Sequence, residues 1–510
     1  MNFFRTVCMA AMAMAAITTQ AGGLLTNTNQ NVAFLRNPAR DAAIGIDGVY
    51  SNPAGVAFLE EGWHLSLNIQ NAHQTRTVSS WSNLYSLGMS NPSQTLGANQ
   101  KYFKEFEGEA DAPIIPSIQL AYNKGKWSYQ FGFAITGGGG KCTFDYGIPT
   151  FETSIATIAK SLAPLGATGY DMNSYIQGRQ YYYGFTGGAA YKINDNLSVY
   201  GGLRLLYGSA SYKVKVDNIK VNTDAGAVPF DQFLDGANTQ IAGGLAQVNA
   251  GIAQVNAGIA QYEAAGVPVP DALTQQLAQL QTTQQTLQAT ENSLNMLEPY
   301  RNGVNLMCDQ TAWGVAPIIG VDYKIGGLNI AAKYEFKTRM RMKNKSTVKE
   351  ASLISAVNKF KDGEKVAEDS PALLTVGVQY ALIPSLRINA GWHHFFDVDT
   401  KQYTKDMLGD SNEYLFGLEY DICKKLEVSA GVQRTEYDFN DEGMNDISFN
   451  VSSFSAGFGI GYNVTDKIKV NAAYFQTFYD DYNKAEDAMG VTNSFTRTNR
   501  VIGLGVDFKF

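Results

Sequence analysis

Apolar and polar residues alternate one by one along much of this chain, the period of a strand with two unlike faces. The clearest run is 386–398. Leu386, Ile388, Ala390, Trp392, His394, Phe396 and Val398 point one way, and Arg387, Asn389, Gly391, His393, Phe395 and Asp397 the other. At 328–342, Leu328, Ile330, Ala332, Tyr334, Phe336, Met340 and Met342 alternate with Lys333, Glu335, Lys337, Arg339 and Arg341. Further on, Ile468, Val470, Ala472 and Tyr474 alternate with Lys467, Lys469 and Asn471. An apolar face ending in aromatics suits lipid, and the opposite face suits a wet lumen. A sandwich or soluble barrel would reverse the two faces; the length of the strands and their aromatic ends favour the membrane.

About 14 such segments can be counted, an even number as bacterial barrels require. They lie near 63–73, 113–123, 126–140, 180–193, 197–216, 311–324, 327–343, 371–382, 385–398, 412–423, 425–438, 448–463, 467–479 and 498–510. Short connections at 123–125, 194–196, 326, 383–384, 424 and 465–466 alternate with long ones at 74–112, 141–179, 217–310, 344–370, 399–411, 439–447 and 480–497. Short periplasmic turns and long external loops are the signature of an outer-membrane barrel. The expected fold is therefore an all-β membrane protein, an antiparallel transmembrane barrel of ~14 strands occupying 63–510. Its last strand carries Ile502, Leu504, Val506, Phe508 and Phe510 on one face. A C-terminal aromatic closing such a strand resembles the sorting signal read by the barrel assembly machinery.

Composition agrees. There are 50 Gly, 28 Tyr and 27 Phe but only 14 Pro in 510 residues, which suits long strands with an aromatic girdle and not a disordered chain. Mean hydropathy is −0.17, so the apolar residues are abundant but diluted. The net charge of −7 argues against nucleic acid as a partner, which wants a basic face. Residues 1–21 read as a secretory signal peptide: Arg5, a short apolar core, then Thr19, Gln20 and Ala21 as a small-x-small cleavage site. The other reading is an N-terminal anchor. After it, no stretch approaches the ~18 consecutive apolar residues of a spanning helix, so spanning falls to strands.

Residues 22–62 have no strand period and could be a tail or a plug inside the lumen. Near their end comes Gly48-Val49-Tyr50-Ser51-Asn52-Pro53-Ala54-Gly55-Val56-Ala57. Here the chain resembles the FadL family of outer-membrane long-chain fatty-acid and hydrocarbon transport proteins. That family carries an Asn-Pro-Ala motif in an N-terminal hatch plugging a 14-stranded barrel, and Asn52, Pro53 and Ala54 match it. The resemblance spans most of the chain after the leader, including Ala312-Trp313-Gly314 and the C-terminal aromatic. Physically, Pro53 fixes φ and holds Asn52 out of the helical region, giving a fixed turn at the lumen wall or an ordinary turn into the first strand.

The resemblance implies a plugged barrel for hydrophobic small molecules, fatty acid or hydrocarbon, with lateral exit into outer-membrane lipid. In the family the third strand kinks inward, and Gly137, Gly138, Gly139 and Gly140 fall where that kink would lie; a flexible start to the next loop is the alternative. Loop 217–310 holds a helical hairpin at about 237–298. Residues 244–264 repeat in sevens, with Leu245, Val248, Ile252, Val255, Ile259 and Tyr262 as a seam, and Leu273, Leu277, Leu280, Leu287 and Leu294 answer it after a Pro break. It could be an apolar vestibule that captures ligand, or simply self-packed or partner-docking.

Arg204, Lys333, Lys337, Arg339, Arg387 and His393 should face the lumen. They could orient a carboxylate, since guanidinium and ammonium groups bind one well, or they could be ordinary hydrated charges. Cys142 and Cys308 both fall near the outer ends of strands, where an oxidising compartment permits a disulfide. No catalytic, metal or cofactor site is expected. There is no Gly-x-Ser-x-Gly, no His-Glu-x-x-His and no Walker A loop, and adjacent His393 and His394 face opposite ways. The expectation is a monomeric passive channel, not an enzyme; the alternative is a general porin or a surface-exposed structural or adhesion barrel.

Overall fold

The computed structural model describes residues 31–510, apart from 91, 92, 94, 98, 99, 350–354, 402–407 and 448. The expected leader, 1–21, lies outside the described residues. Fourteen long strands form the barrel: β1 Gly62–Trp81, β2 Phe103–Lys124, β3 Trp127–Phe144, β4 Gly169–Lys192, β5 Leu197–Thr223, β6 Val304–Ile325, β7 Leu328–Glu335, β8 Leu373–Ile383, β9 Leu386–Phe395, β10 Ser411–Cys423, β11 Leu426–Glu436, β12 Ser453–Thr465, β13 Ile468–Tyr479 and β14 Thr492–Lys509. Each pairs antiparallel with its sequence neighbour, and β1 pairs with β14 from His64↔Lys509 to Trp81↔Thr492, so the sheet closes on itself. Short extra strands decorate the loops. No helix among the described residues is long and apolar enough to cross a membrane.

The alternation read from the sequence sorts as expected on most strands. On β12, Phe454, Phe458, Ile460 and Tyr462 are exposed, while Ser453 and Ser455 are buried inside. On β14, Ile502 and Leu504 are exposed and Val501 is buried. The strands on the N-terminal half run further than expected: β1 continues to Trp81, β2 starts at Phe103, and β5 ends at Thr223. These extensions rise beyond the lipid, where the outward face no longer has to be apolar and the sequence period fades.

One expected strand is broken. Pairing along 327–343 stops after Glu335 and resumes at Arg341–Ser346. Asn329, Ala331, Lys333 and Glu335 are buried, but beyond the break Thr338, Met340 and Met342 are the buried ones. The phase has slipped by one residue, which turns every later side chain to the opposite face. Met340 and Met342 therefore pack inward against Tyr182, Leu206 and Ala312 instead of facing lipid. By the same slip Arg339 is exposed, not in the lumen.

Above the lipid the strand ends and loops enclose a large apolar core. Its centre is helix α2, Pro149–Ser161, between β3 and β4 (α1 is the short helix Val32–Arg36), with Phe151, Ile155, Ile158 and Ala159 all buried. The N-terminus of α2 has no local side-chain cap; instead Asp446 accepts hydrogen bonds from the Thr150 N–H at 2.6 Å and its hydroxyl at 2.9 Å. The long loop carries α3, Phe230–Ala264, and α4, Asp271–Asn295. Gly244 and Gly251, seven apart, leave room for Leu287 and Leu280, so a Cβ on either would stand 3.3 or 3.4 Å from a leucine methyl.

The sheet register rules out the expected disulfide. Cys142, Gly178, Tyr212 and Cys308 stand in one row across β3, β4, β5 and β6. Three interstrand steps of ~4.8 Å put the two cysteines about 14 Å apart, double the ~7 Å limit for a bridge. Cys142, Cys308 and Cys423 are free thiols. All three should alkylate in denaturant without reductant, which intact-mass measurement reads directly.

Burial lifts the Asp397 carboxyl, in the loop after β9, from 3.8 to about 6, against a hydrogen bond from the Ser411 N–H. The folded loop thus holds this proton more tightly than the unfolded chain. Its contribution to stability is fullest near pH 4 and falls as pH rises through about 6. Melting curves between pH 4 and 7 should show this fall, and Asp397→Asn should flatten it.

Candidate functional site

The lumen is occupied by the chain's own N-terminal residues. From Asn31 to Ala57 nearly every side chain is buried, although the segment contains only α1 and two single turns. Such an irregular stretch leaves backbone groups unpaired, and inside a barrel they must find partners on the wall. The inward side chains supply them. Asn329 donates to the Ala42 carbonyl at 2.7 Å, Lys333 to Tyr50 at 2.8 Å, Gln130 to Pro53 at 2.7 Å, Ser198 to Ala54 at 2.7 Å and Asn123 to Val56 at 2.8 Å.

Asn52 is the hub of this region. Its Nδ2 donates to Asp322 on β6 at 2.6 Å, and its Oδ1 accepts from the Gly55 N–H at 3.1 Å, closing the turn that Pro53 begins. Asn329 donates to the same Asp322 oxygen at 2.9 Å. Asn52, Pro53 and Ala54 thus lie against the inner wall near β3, β5 and β6, each holding one strand.

The other half of the segment is seated by shape. Along β8 to β12, glycines face inward in register: Gly377 pairs with Gly391, Gly417 with Gly431, and Gly431 with Gly457. A Cβ on Gly377 would stand 2.6 Å from the Asp41 Cβ, and one on Gly431 2.7 Å from the Pro38 Cδ. On Gly417 and Gly457 it would collide with Asn37 and with the Leu35 carbonyl. These glycines carve a trough into which residues 35–41 fit against bare backbone.

Charge fastens the trough. Arg36 meets Glu427 at 2.7 Å, and Arg40 bridges Asp47 at 2.7 Å and Glu419. Arg387 joins the same carboxylates, at 3.1 Å from Glu419, 2.7 Å from Asp421 and 3.0 Å from Glu427. His393 lies between Asp41, at 2.9 Å, and Glu413, at 2.7 Å. Of the lumen cations read from the sequence, Arg204, Lys333, Arg387 and His393 do face inward. Arg204 makes a forked contact to Glu335 at 2.6 Å and stacks 4.9 Å from the Tyr50 ring, with Lys333 at 5.2 Å. All four hold protein groups. Lys337 donates to the Asp399 carbonyl at 2.7 Å, outside this set.

Among the described residues, ladder pairing in the wall lapses between β6 and the segment after β7, from Ile318↔Glu335 to Thr311↔Lys343, and again between β2 and β3. Between Asp111↔Lys141 and Ile118↔Phe133, β2 and β3 make no ladder pairs. On the β3 side this gap spans Gly137, Gly138, Gly139 and Gly140, where register against β4 also shifts and Gly138 and Gly140 adopt φ of +104° and +74°. A Cβ at Gly138 would strike the Gln180 carbonyl. On the β2 side the gap holds Pro113 and Pro116, which have no N–H to offer a neighbouring strand. The sequence reading found the glycines and missed the prolines, although proline inside a strand is itself a signal of lost pairing.

A closed barrel with an apolar outer belt and a lumen filled by its own N-terminal residues defines a multi-pass β-barrel of the bacterial outer membrane. No protein-family model matches the chain, and no curated protein does. Among solved structures it is similar to a Pseudomonas aeruginosa FadL homologue, with TM-score 0.58 and 12% identity over 96% of this chain and 99% of that one. A deltaS2 mutant of the TodX monoaromatic hydrocarbon channel gives TM-score 0.51 and 13% identity over 95% and 100%. At these identities the likeness shows a shared fold, that of the FadL-type barrels.

Truncating Asn52 to alanine strands Asp322 with one of its two amide donors gone. The seat of residues 50–55 should weaken by about 2 kcal/mol, the cost of losing a hydrogen bond to a charged group. Gly417→Val should unseat residues 35–41 outright. Both variants should raise single-channel conductance in planar bilayers while leaving heat-modifiable gel mobility, the mark of an intact barrel, unchanged.

Proposed function

We propose that the protein is a passive channel for hydrophobic small molecules, which leave the lumen sideways through the seam between β2 and β3. The concentration of glycines and prolines at the β2–β3 gap carries this reading. A barrel in lipid keeps its strands paired because unpaired backbone groups are costly there. Two prolines and four glycines at one junction remove that pairing by design of the sequence, at a point where apolar solute could pass without crossing the polar plug. The FadL homologue and the hydrocarbon channel that share the fold support the same assignment. The filled lumen speaks against a general porin, since residues 31–61 stand in the path of water and ions.

In this scheme ligand enters the apolar outer chamber around α2, which matches its chemistry, and meets the plug beneath. Movement near Asn52, Pro53 and Ala54, where the segment is held by individual hydrogen bonds and not by the glycine trough, opens the way to the seam. The direction of flow follows the gradient. Uptake of a radiolabelled apolar probe by cells expressing the protein tests the exit. Replacing Pro113 and Pro116 with threonine restores two strand donors and should let β2 and β3 zip. Uptake should then drop toward that of cells lacking the protein, with the barrel folded and surface-expressed. Unchanged uptake would remove the lateral exit.

A further inference from the structure

The outer surface of the barrel changes character abruptly at the break after β7. Below the break Ile330 and Phe336 are exposed to lipid, and the Tyr334 and Phe336 ring centres lie 4.8 Å apart. Above it the chain runs Arg339-Met340-Arg341-Met342-Lys343-Asn344-Lys345. Met340, Met342 and Asn344 are buried, while Arg339, Lys343 and Lys345 are exposed. The one-residue slip therefore turns outward a basic row that unbroken pairing would have pointed into the barrel. Lys365, on the short strand Lys365–Ala367, stands directly opposite Lys343 and is exposed as well. Like charges directly opposed on neighbouring strands are destabilising. Two cations beside the row are already engaged, Arg341 with Asp369 at 2.5 Å and Lys349 with Asp362 at 2.9 Å. Among the described residues, Arg339, Lys343, Lys345 and Lys365 form no ion pair. The other acids at the row are Asp309, opposite Lys345, and Glu364, next to Lys365 in the chain.

Height on the barrel decides what such a row meets. Tyr183, Tyr207 and Trp313 lie in one register row across β4, β5 and β6, with ring centres 6.2 and 4.7 Å apart. This row is the aromatic girdle on the side of the long loops. Val315 and Ile319 below it are exposed to lipid, and Tyr323 marks the periplasmic edge. From Trp313 to Tyr323 the strand advances ten residues, which at ~3.4 Å each and a ~40° tilt spans about 26 Å, the height of an apolar belt. Thr311, two residues above Trp313, pairs with Lys343, and Asp309 pairs with Lys345. Lys343 thus stands about 7 Å along the strand beyond the girdle, with its side chain on the lipid side. That is the layer of lipid head groups on the outer face of the membrane.

We propose that Arg339, Lys343, Lys345 and Lys365 form a docking site for a phosphorylated glycolipid of the outer leaflet, its phosphates along the row and its acyl chains against Phe336 and Trp313. A phosphate between Lys343 and Lys365 takes charge-assisted bonds from both and relieves their repulsion. Arg339 lies nearest the girdle, and its planar fork suits two oxygens of a phosphate at the base of the head group. Between Ile318↔Glu335 and Thr311↔Lys343 this stretch of wall has no ladder pairs with β6, so the lipid covers backbone that strand pairing leaves open. The site is on the outside of the barrel and independent of what passes through the lumen.

Native mass spectrometry of the full-length protein in nonionic detergent, titrated with diphosphoryl lipid A, monophosphoryl lipid A or a neutral diacyl glycolipid, reads the binding directly. On the unmutated protein the diphosphoryl form should bind about tenfold tighter than the monophosphoryl one, the worth of a charged hydrogen bond. The neutral glycolipid should not compete, and added sodium chloride should weaken only the phosphorylated lipids. Lys343→Gln with Lys365→Gln should weaken diphosphoryl lipid A about tenfold or more. Adding Arg339→Gln and Lys345→Gln should bring it to the level of the neutral lipid. Lys424→Gln with Lys425→Gln, two exposed lysines at a periplasmic turn, should change nothing. Because Lys343 and Lys365 oppose each other, neither single substitution should lower the melting temperature of lipid-free protein. Equal binding of all three lipids, or no binding of diphosphoryl lipid A to the unmutated protein, would overturn the proposal without recourse to any variant. Unchanged binding in the fourfold variant would do the same. Displacement of the lipid by inorganic phosphate at equal concentration would make the row a site for free anions and overturn the lipid assignment.

Discussion

Backbone hydrogen bonds that water cannot serve are the constraint from which this structure follows. In the hydrocarbon layer each unpaired N–H or C=O costs several kcal/mol, so strands must pair on both sides and the sheet must close. Closure produces a lumen, and the lumen holds an irregular segment whose own backbone poses the same problem at smaller scale. The wall answers it with Asn, Gln, Ser and Lys side chains aimed at individual carbonyls. One of the places where ladder pairing lapses, between β2 and β3, gathers residues ill suited to pair: two prolines on one side and four glycines on the other.

The N-terminal segment inside the lumen is held in two different ways. Residues 35–41 lie in a glycine trough bolted by Arg36 and Arg40 to carboxylates on β10 and β11. Seating of that kind is steric as well as electrostatic, and no small rearrangement loosens it. Residues 42–57 are held by hydrogen bonds from single wall side chains, by the Arg40–Asp47 ion pair and by small apolar contacts of Val49, Ala54, Val56 and Ala57.

Much of the barrel was legible because membrane strands are written in a two-residue period. All fourteen strands were read near their places; the ends drifted where β1, β2, β4, β5, β6 and β14 run past their expected bounds and where β7 and β12 fall short of them. The failure at 336–340 has a physical cause: a one-residue slip in pairing is invisible in a sequence that stays amphipathic on both sides of it, yet it moves Met340, Met342 and Arg339 to the opposite face. Helix α2 falls inside a segment read as a long loop, although Phe151, Ile155 and Ile158 stand at the helical spacing that could have marked it. For the candidate site, alternation correctly turned Arg204, Lys333, Arg387 and His393 inward. What it could not show is that Glu335, Glu419 and Asp41 would already claim them, since those partners sit on other strands or in the plug.

The hairpin on the longest loop has a property that reaches past the membrane. From Lys220 to Arg301 the chain contains no basic residue at all. An outer leaflet rich in phosphate therefore offers it nothing to pair with, and its acidic residues are repelled. At 1.5 Å per residue α3 extends about 50 Å. Its contacts recur every seven residues, glycine against leucine, so whole repeats can be gained or lost in matched pairs, one on each arm, without altering the packing below. Each repeat is about 10 Å of helix, so the hairpin's length can change in such steps without altering the barrel that carries it.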